Sequence, residues 1–221
     1  MSLVARAGGR SYVQPMDASG PTILALGDSL VAGYGLSVDD ALPAQLQRRL
    51  RGRYPQARVI GAGVSGATSA DVLRRLPAAL EQAGALDLAL VQVGPNDVLR
   101  GVAPDVVRAN LARVLATFAG RSVPVLLTRV DPPAMLRARA APYRTIHADL
   151  ARDHDVGLVS FFPPGVLGHP EMVLADRVHP NARAIAAVAA HLLPAVEHAL
   201  ARSHAGAGLV GEDFPSGAEL R

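Results

Sequence analysis

Five residues in this chain combine into one reaction. Ser29 lies in "GDSL", Gly66 in "GVSGATS", Asn96 in "GPND", and Asp176 and His179 in "DRVHP". A serine hydroxyl is a weak nucleophile and needs a base within hydrogen-bond reach, itself oriented by a third group. Asp176 and His179 are three residues apart, so within one turn the carboxylate can fix the imidazole tautomer. The Ser29 N–H, the Gly66 N–H and the Asn96 amide are donors suited to an oxyanion. Nucleophile, base, orienter and donors make up what acyl transfer to water requires. Each residue also has a plainer explanation. Ser29 can cap a helix, Asp176 and His179 can be a surface contact, Asn96 a turn residue, and Gly66 a tight turn needing positive φ. Singly the plainer explanation is the stronger; the weight lies in the combination. Of the other histidines, His169 sits in a loop and is the second candidate base. His147, His154, His191, His198 and His204 fall on helical stretches or a tail, where solvated side chains are expected. Asp28 is expected to support the turn after the first strand.

The elements that must position these residues alternate. Apolar runs at 22–26, 57–61, 88–94, 123–128 and 156–161 read as strands, and stretches with helical periodicity fill 42–54, 68–84, 105–120, 143–155 and 181–201. Thr68 or Ser69 can cap the second of those helices and Gly84 can end it. Unbroken apolar strands argue a parallel sheet covered on both faces. With right-handed crossovers the expectation is an α/β fold, a three-layer αβα sandwich on a five-stranded, mostly parallel sheet in the flavodoxin-like order 2-1-3-4-5. Ligands in such sheets sit beyond the carboxyl ends of the strands, where four of the polar loops fall. Residues 21–202 are expected to form the domain, with 1–20 and 203–221 as extensions.

Composition removes other chemistries. The 221 residues contain no Cys, which excludes thiolate catalysis and thiolate metal sites. All 22 basic residues are Arg, so Schiff-base chemistry and a P-loop lysine are excluded too. The arginines are scattered and aromatic residues make up 4%, unlike the clustered basic face of a nucleic-acid binder. No apolar run approaches the about 18 residues of a membrane span, so integral membrane association is not expected. The N-terminus lacks the apolar core, about 7–15 residues long, of a signal peptide. A cytoplasmic protein is expected, or an exported one whose leader was removed. Gly61, Gly63 and Gly66 spell G-x-G-x-x-G, a dinucleotide fingerprint when an acid ends the next strand. That strand ends Gln92, Val93, Gly94, and the motif follows strand two instead of strand one. The cofactor reading is therefore the weaker one, and a non-catalytic carbohydrate- or lipid-binding domain is weaker still because every catalytic position is filled.

In these residues the chain resembles the SGNH, or GDSL-type, hydrolases. The blocks "ALGDSLVAGYGLS", "AGVSGATS", "VGPND" and "DRVHPN" occur in the family's order, and the resemblance spans roughly 22–200. It is strongest to the bacterial arylesterase and multifunctional thioesterase/lysophospholipase branch. The resemblance implies Ser29 as nucleophile, His179 as base, Asp176 as its orienter, and Ser29, Gly66 and Asn96 as the oxyanion hole. It implies no metal, no cofactor, and a small-molecule ester substrate: short- to medium-chain carboxylic esters including aryl esters, with thioesters or lysophospholipids as extensions and sugar O-acetyl esters as the runner-up. Two positions depart from the family: Ala67 where relatives commonly carry Asp, and Arg177 where Gly is common. The first is expected to loosen the Gly66 N–H, the second to add bulk and charge at the mouth. Leu30, Leu99, Val130, Met135 and Phe162 are the expected acyl-pocket residues, and the proline-containing segment 128–142 is either a specificity loop or a plain connection. Monomer and homo-oligomer both remain open.

Overall fold

The structure, a computed structural model, describes residues 20–207. Five strands alternate with helices: β1 Thr22–Gly27, β2 Arg58–Gly63, β3 Leu88–Gln92, β4 Val125–Arg129 and β5 Gly157–Ser160. Helices α1 Ser29–Ala32, α2 Leu42–Leu50, α3 Ser69–Ala83, α4 Pro95–Arg100, α5 Pro104–Ala119, α6 Arg137–Ala140, α7 Ile146–Asp153 and α8 Ala182–Ala207 connect or follow them. The sheet order is β2-β1-β3-β4-β5, and every pair is parallel. The expected order holds, and the sheet is wholly instead of mostly parallel. The short α1 and α4 were not legible as helices; both lie in the loops that follow β1 and β3.

The period-two alternation of strand side chains divides the core in two. Ile23 and Ala25 of β1 face α2 and α8, while Leu24 and Leu26 face α3 and α5. With both faces covered, β1 and β3 are apolar almost throughout, as a buried parallel strand must be. α3 begins at a capping box, with Thr68 as N-cap and Asp71 bonding back to the Thr68 N–H. α8 has the length and hydropathy of a membrane span. Its Ile185, Val188, Leu192 and Val196 are buried in the same cluster as α2 and the sheet, which is how a core helix behaves. α8 also runs beyond the expected domain end at 202, to Ala207. The expected extensions lie outside the described residues, apart from Gly20 and the end of α8.

Gly61 and Gly63 lie within β2, Gly63 as its last residue. A Cβ on Gly63 would collide with the backbone N of Ala32 and stand 2.8 Å from the Asp28 carbonyl oxygen. One on Gly61 would stand 2.9 Å from Pro43 Cγ. These glycines let α1 and α2 pack against β2, which accounts for two-thirds of the G-x-G-x-x-G match without a cofactor. Gly63→Ala should therefore destabilise the fold by about 1–3 kcal/mol, the range for overpacking against a surface that cannot retreat. An unchanged denaturant midpoint would show that α1 is free to move.

Candidate active site

β1 lies between β2 and β3 in a parallel sheet, so the loops after β2, β1 and β3 meet at one edge of the sheet. Ser29 is the first residue of α1 and leaves the capping task to its neighbour: Asp28 Oδ1 accepts the Leu30 N–H at 2.9 Å. The Ser29 hydroxyl is thereby released from the plainer role. Asp28 is fully buried and does more than support its turn. Its Oδ2 accepts from Gln92 Nε2 and from Asn96 Nδ2, both at 3.3 Å. Burial pushes its carboxyl up to about 6, against the opposing effects of the Leu30 and Gln92 hydrogen bonds and of His179.

The other half of the site hangs from a loop closed by a Val173–Pro180 bridge. Asp176 divides its oxygens: Oδ1 accepts the N–H of Val178 at 2.9 Å and of His179 at 3.0 Å. Oδ2 lies 2.7 Å from His179 Nδ1. The backbone hydrogen bonds of His179 and Val178, and then the ring of His179, hold the Asp176 carboxyl down at about 2. Asn181 Oδ1 accepts the Ala184 N–H and so caps α8, tying the loop to the longest helix. Tyr34 stacks on the His179 ring with centroids 4.3 Å apart. His169 is exposed, accepts the Glu171 N–H through Nδ1, and is not part of the cavity wall. Arg177 takes φ 58°, the left-handed conformation that glycine adopts without a Cβ clash. Its side chain is exposed and does not line the cavity, so the departure is a backbone matter and not one of bulk at the mouth.

Residues 64–67 form a turn closed by Ala67 N–H to Val64 O, 3.1 Å, with Gly66 at φ 77° in its third position. A type II turn demands that positive φ, so glycine is required there. α4 grips the segment that follows. Asn96 Nδ2 donates to Ala67 O at 3.0 Å. Buried Asp97 accepts the Ser69 N–H at 2.9 Å and its hydroxyl at 2.7 Å, and Asn110 donates to that same hydroxyl. Among the described residues nothing accepts the N–H of Ser29 or of Gly66.

Ser29, Asn96 and His179 share the wall of a cavity of about 610 Å³. No hydrogen bond joins Ser29 to His179 in this structure; catalytic contacts are often loose before substrate binds. Leu30, Leu99, Val130 and Phe162 line the cavity as expected. Met135 does not: it is 87% exposed and points away, and Leu136 lines the wall in its place. Residues 129–133 and 136–144 supply much of that wall, so the segment is more than a plain connection. A larger hollow of about 740 Å³ between α3 and α5 has neither Ser29 nor a histidine in its lining.

Some participants were missed from sequence. His147 is not solvated: its Nε2 lies 3.0 Å from Val93 O, it lines the cavity, and burial lowers its affinity for a proton. His191 likewise bonds Ser160 O. Gln92 had a signal, a polar residue ending an otherwise apolar strand. Tyr34 carried none.

Comparison with known proteins agrees with this geometry. The model of the GDSL-like Lipase/Acylhydrolase family matches residues 25–187. An arylesterase of Vibrio mimicus is 34% identical over 164 residues, 73% of this chain and 81% of that protein. The thioesterase 1/protease 1/lysophospholipase L1 of Escherichia coli K12 is 36% identical over 165 residues, 74% of this chain and 77% of that protein. The crystal structure of TesA superimposes with a TM-score of 0.75 at 32% identity, covering 80% of this chain and 99% of that one. That of AlinE4, an SGNH-hydrolase family esterase, gives 0.66 at 38% identity, covering 83% and 96%.

Two predictions follow from the electrostatics and the backbone. Asp28 binds its proton more tightly folded than unfolded, with its value raised from 3.8 to about 6. Its contribution to stability is complete below pH about 4 and lost as pH rises through about 6. Asp176, lowered from 3.8 to about 2, has the opposite sign: its contribution is present above pH about 4 and lost as pH falls toward 2. In melting-temperature profiles, Asp28→Asn should remove a decline between pH 4 and 6, and Asp176→Asn should flatten the rise between pH 2 and 4; unaltered slopes would contradict both assignments. Arg177→Gly should raise stability by roughly 0.5–1 kcal/mol, the left-handed cost less glycine's added chain entropy. Arg177→Ala, which keeps the strain, should gain nothing.

Proposed function

The chain belongs to the GDSL-like lipase/acylhydrolase family and is a carboxylic ester hydrolase, and we propose that it works through Ser29, His179 and Asp176 on short- to medium-chain acyl esters, aryl esters included, and on thioesters. The observation that supports this most directly is the 2.7 Å contact between His179 Nδ1 and Asp176 Oδ2, on a ring that shares its cavity with Ser29. That contact leaves Nε2 as the base. In the proposed reaction Nε2 takes the Ser29 proton as Oγ attacks the acyl carbon. The imidazolium then gives the proton to the departing alcohol or thiol. Water repeats the sequence on the acyl-enzyme and restores the serine. Asp176, held at about 2, stays ionised throughout and favours the imidazolium.

The oxyanion would be met by the N–H groups of Ser29 and Gly66 and by Asn96. One Asn96 hydrogen is engaged by Ala67 O at 3.0 Å; the other faces Asp28 Oδ2 at 3.3 Å, a long contact. The second hydrogen is the one an oxyanion would take. Leu30, Leu99, Val130, Leu136 and Phe162 would hold the acyl chain. The apolar lining favours a chain longer than the acetyl group of a sugar O-acetyl ester. Residues 21–202 would serve as the catalytic domain.

The test is hydrolysis of p-nitrophenyl acetate through octanoate. Ser29→Ala and His179→Ala should each lower kcat by about 10⁴-fold or more, with similar losses because the members of a triad act as a unit. Wild-type rates in Ser29→Ala would overturn the mechanism, and a crippled His169→Ala beside an active His179→Ala would overturn the base.

A further inference from the structure

We propose that Arg100 is a positioning residue for the oxyanion hole, aiming the Gly66 N–H from outside the site. This rests on Ser29 being the nucleophile and Gly66 an oxyanion donor. Arg100 is the last residue of α4, and its guanidinium donates to Gly66 O at 2.8 Å. The side chain is exposed and forms no ion pair among the described residues, where its polar contact is with that carbonyl. A hydrogen bond from a charged donor is stronger and shorter than one between neutral groups. The fit is close: a Cβ built on Gly66 would lie 3.2 Å from the Arg100 guanidinium nitrogen.

The peptide unit joining Gly66 to Ala67 is consequently held at both ends. Its oxygen is bound by Arg100, and its N–H by Val64 O at 3.1 Å. A planar peptide held at both ends leaves only the two torsions of Gly66, φ and ψ, to set where the Gly66 N–H points. Glycine has no side-chain barrier to fix those torsions, so each freedom removed from its neighbour counts. The next carbonyl, Ala67 O, is bound by Asn96 Nδ2. Ala67 itself is 3% exposed and packs in the core with Val72, Val91 and Val93, so its side chain supplies no polar tether. Asn96, Asp97 and Arg100 of one helix thus hold residues 67, 69 and 66. A single rigid body carries one oxyanion donor and aims another.

Steady-state kinetics with p-nitrophenyl butyrate on the full chain test this, comparing wild type, Arg100→Ala, Arg100→Lys and Ser29→Ala. Arg100→Ala should lower kcat by about 10–100-fold, less than the about 10²–10³ lost when a donor is removed outright. KM should stay within about twofold and the melting temperature unchanged, because the side chain is exposed. Arg100→Lys should recover part of the loss, and added guanidinium ion should partly restore Arg100→Ala but leave Ser29→Ala inactive. Affinity for a trifluoromethyl ketone, which forms a tetrahedral adduct, should fall in parallel with kcat/KM. Wild-type kcat in Arg100→Ala, or a loss that appears wholly in KM or accompanies a lowered melting temperature, would overturn the clamp while leaving the esterase mechanism intact. An active Ser29→Ala would overturn both.

Discussion

The buried carboxylate of Asp28 holds the catalytic edge of this sheet together. It caps α1 through the Leu30 N–H, bonds the Gln92 side chain at the end of β3, and meets the Asn96 amide on α4. One side chain therefore fixes Ser29 relative to the residues that follow the neighbouring strand. No arginine or lysine pairs with it, and burying a carboxylate without a cation is costly. The cost is visible in the upward push on its proton affinity, to about 6. An uncompensated charge is retained beside Ser29, the proposed nucleophile, as strain and cost concentrate at functional sites.

A second constraint is close approach. α1 can lie against β2 only because Gly63 offers no side chain to the Asp28–Ala32 backbone. The glycine fixes the height of Ser29 above the sheet, and the carboxylate fixes its direction. α4 completes the frame from the other side of β1, with Asp97 tied to Ser69 and Asn96 tied to Ala67. Three loops from adjacent strands are cross-linked by polar side chains buried between them. Buried polar networks of this kind are rigid when every member is satisfied.

The proposed base arrives by a different route. Asp176 and His179 belong to a loop that is closed on itself, with one carboxylate oxygen holding the backbone and the other holding the ring. Most of this unit is local, so three residues of sequence suffice to build it. Its placement in the cavity wall that Ser29 shares is not local: it depends on the Asn181 cap of α8 and on α8 packing against α2 and the sheet. The cavity wall is the least local part, assembled from the ends of β3 and β4, from α4, and from the 129–144 segment.

The sequence by itself determined the alternation of strands and helices and the strand order, and it singled out Ser29, Gly66, Asn96, Asp176 and His179 as candidates. Those follow from periodicity, from glycine's freedom at positive φ, and from side-chain chemistry, all of which are written residue by residue. Tertiary structure alone decided that Asp28 is a hub and not a turn residue, that His147 is half-buried against Val93, and that Leu136 faces the cavity where Met135 faces solvent. It also decided that Gly61 and Gly63 serve packing, because the atoms they make room for belong to α1 and α2. In each case the deciding partner is distant in sequence, as Gln92 is from Asp28, and only packing of the sheet and its two helical layers brings it within hydrogen-bond or van der Waals reach.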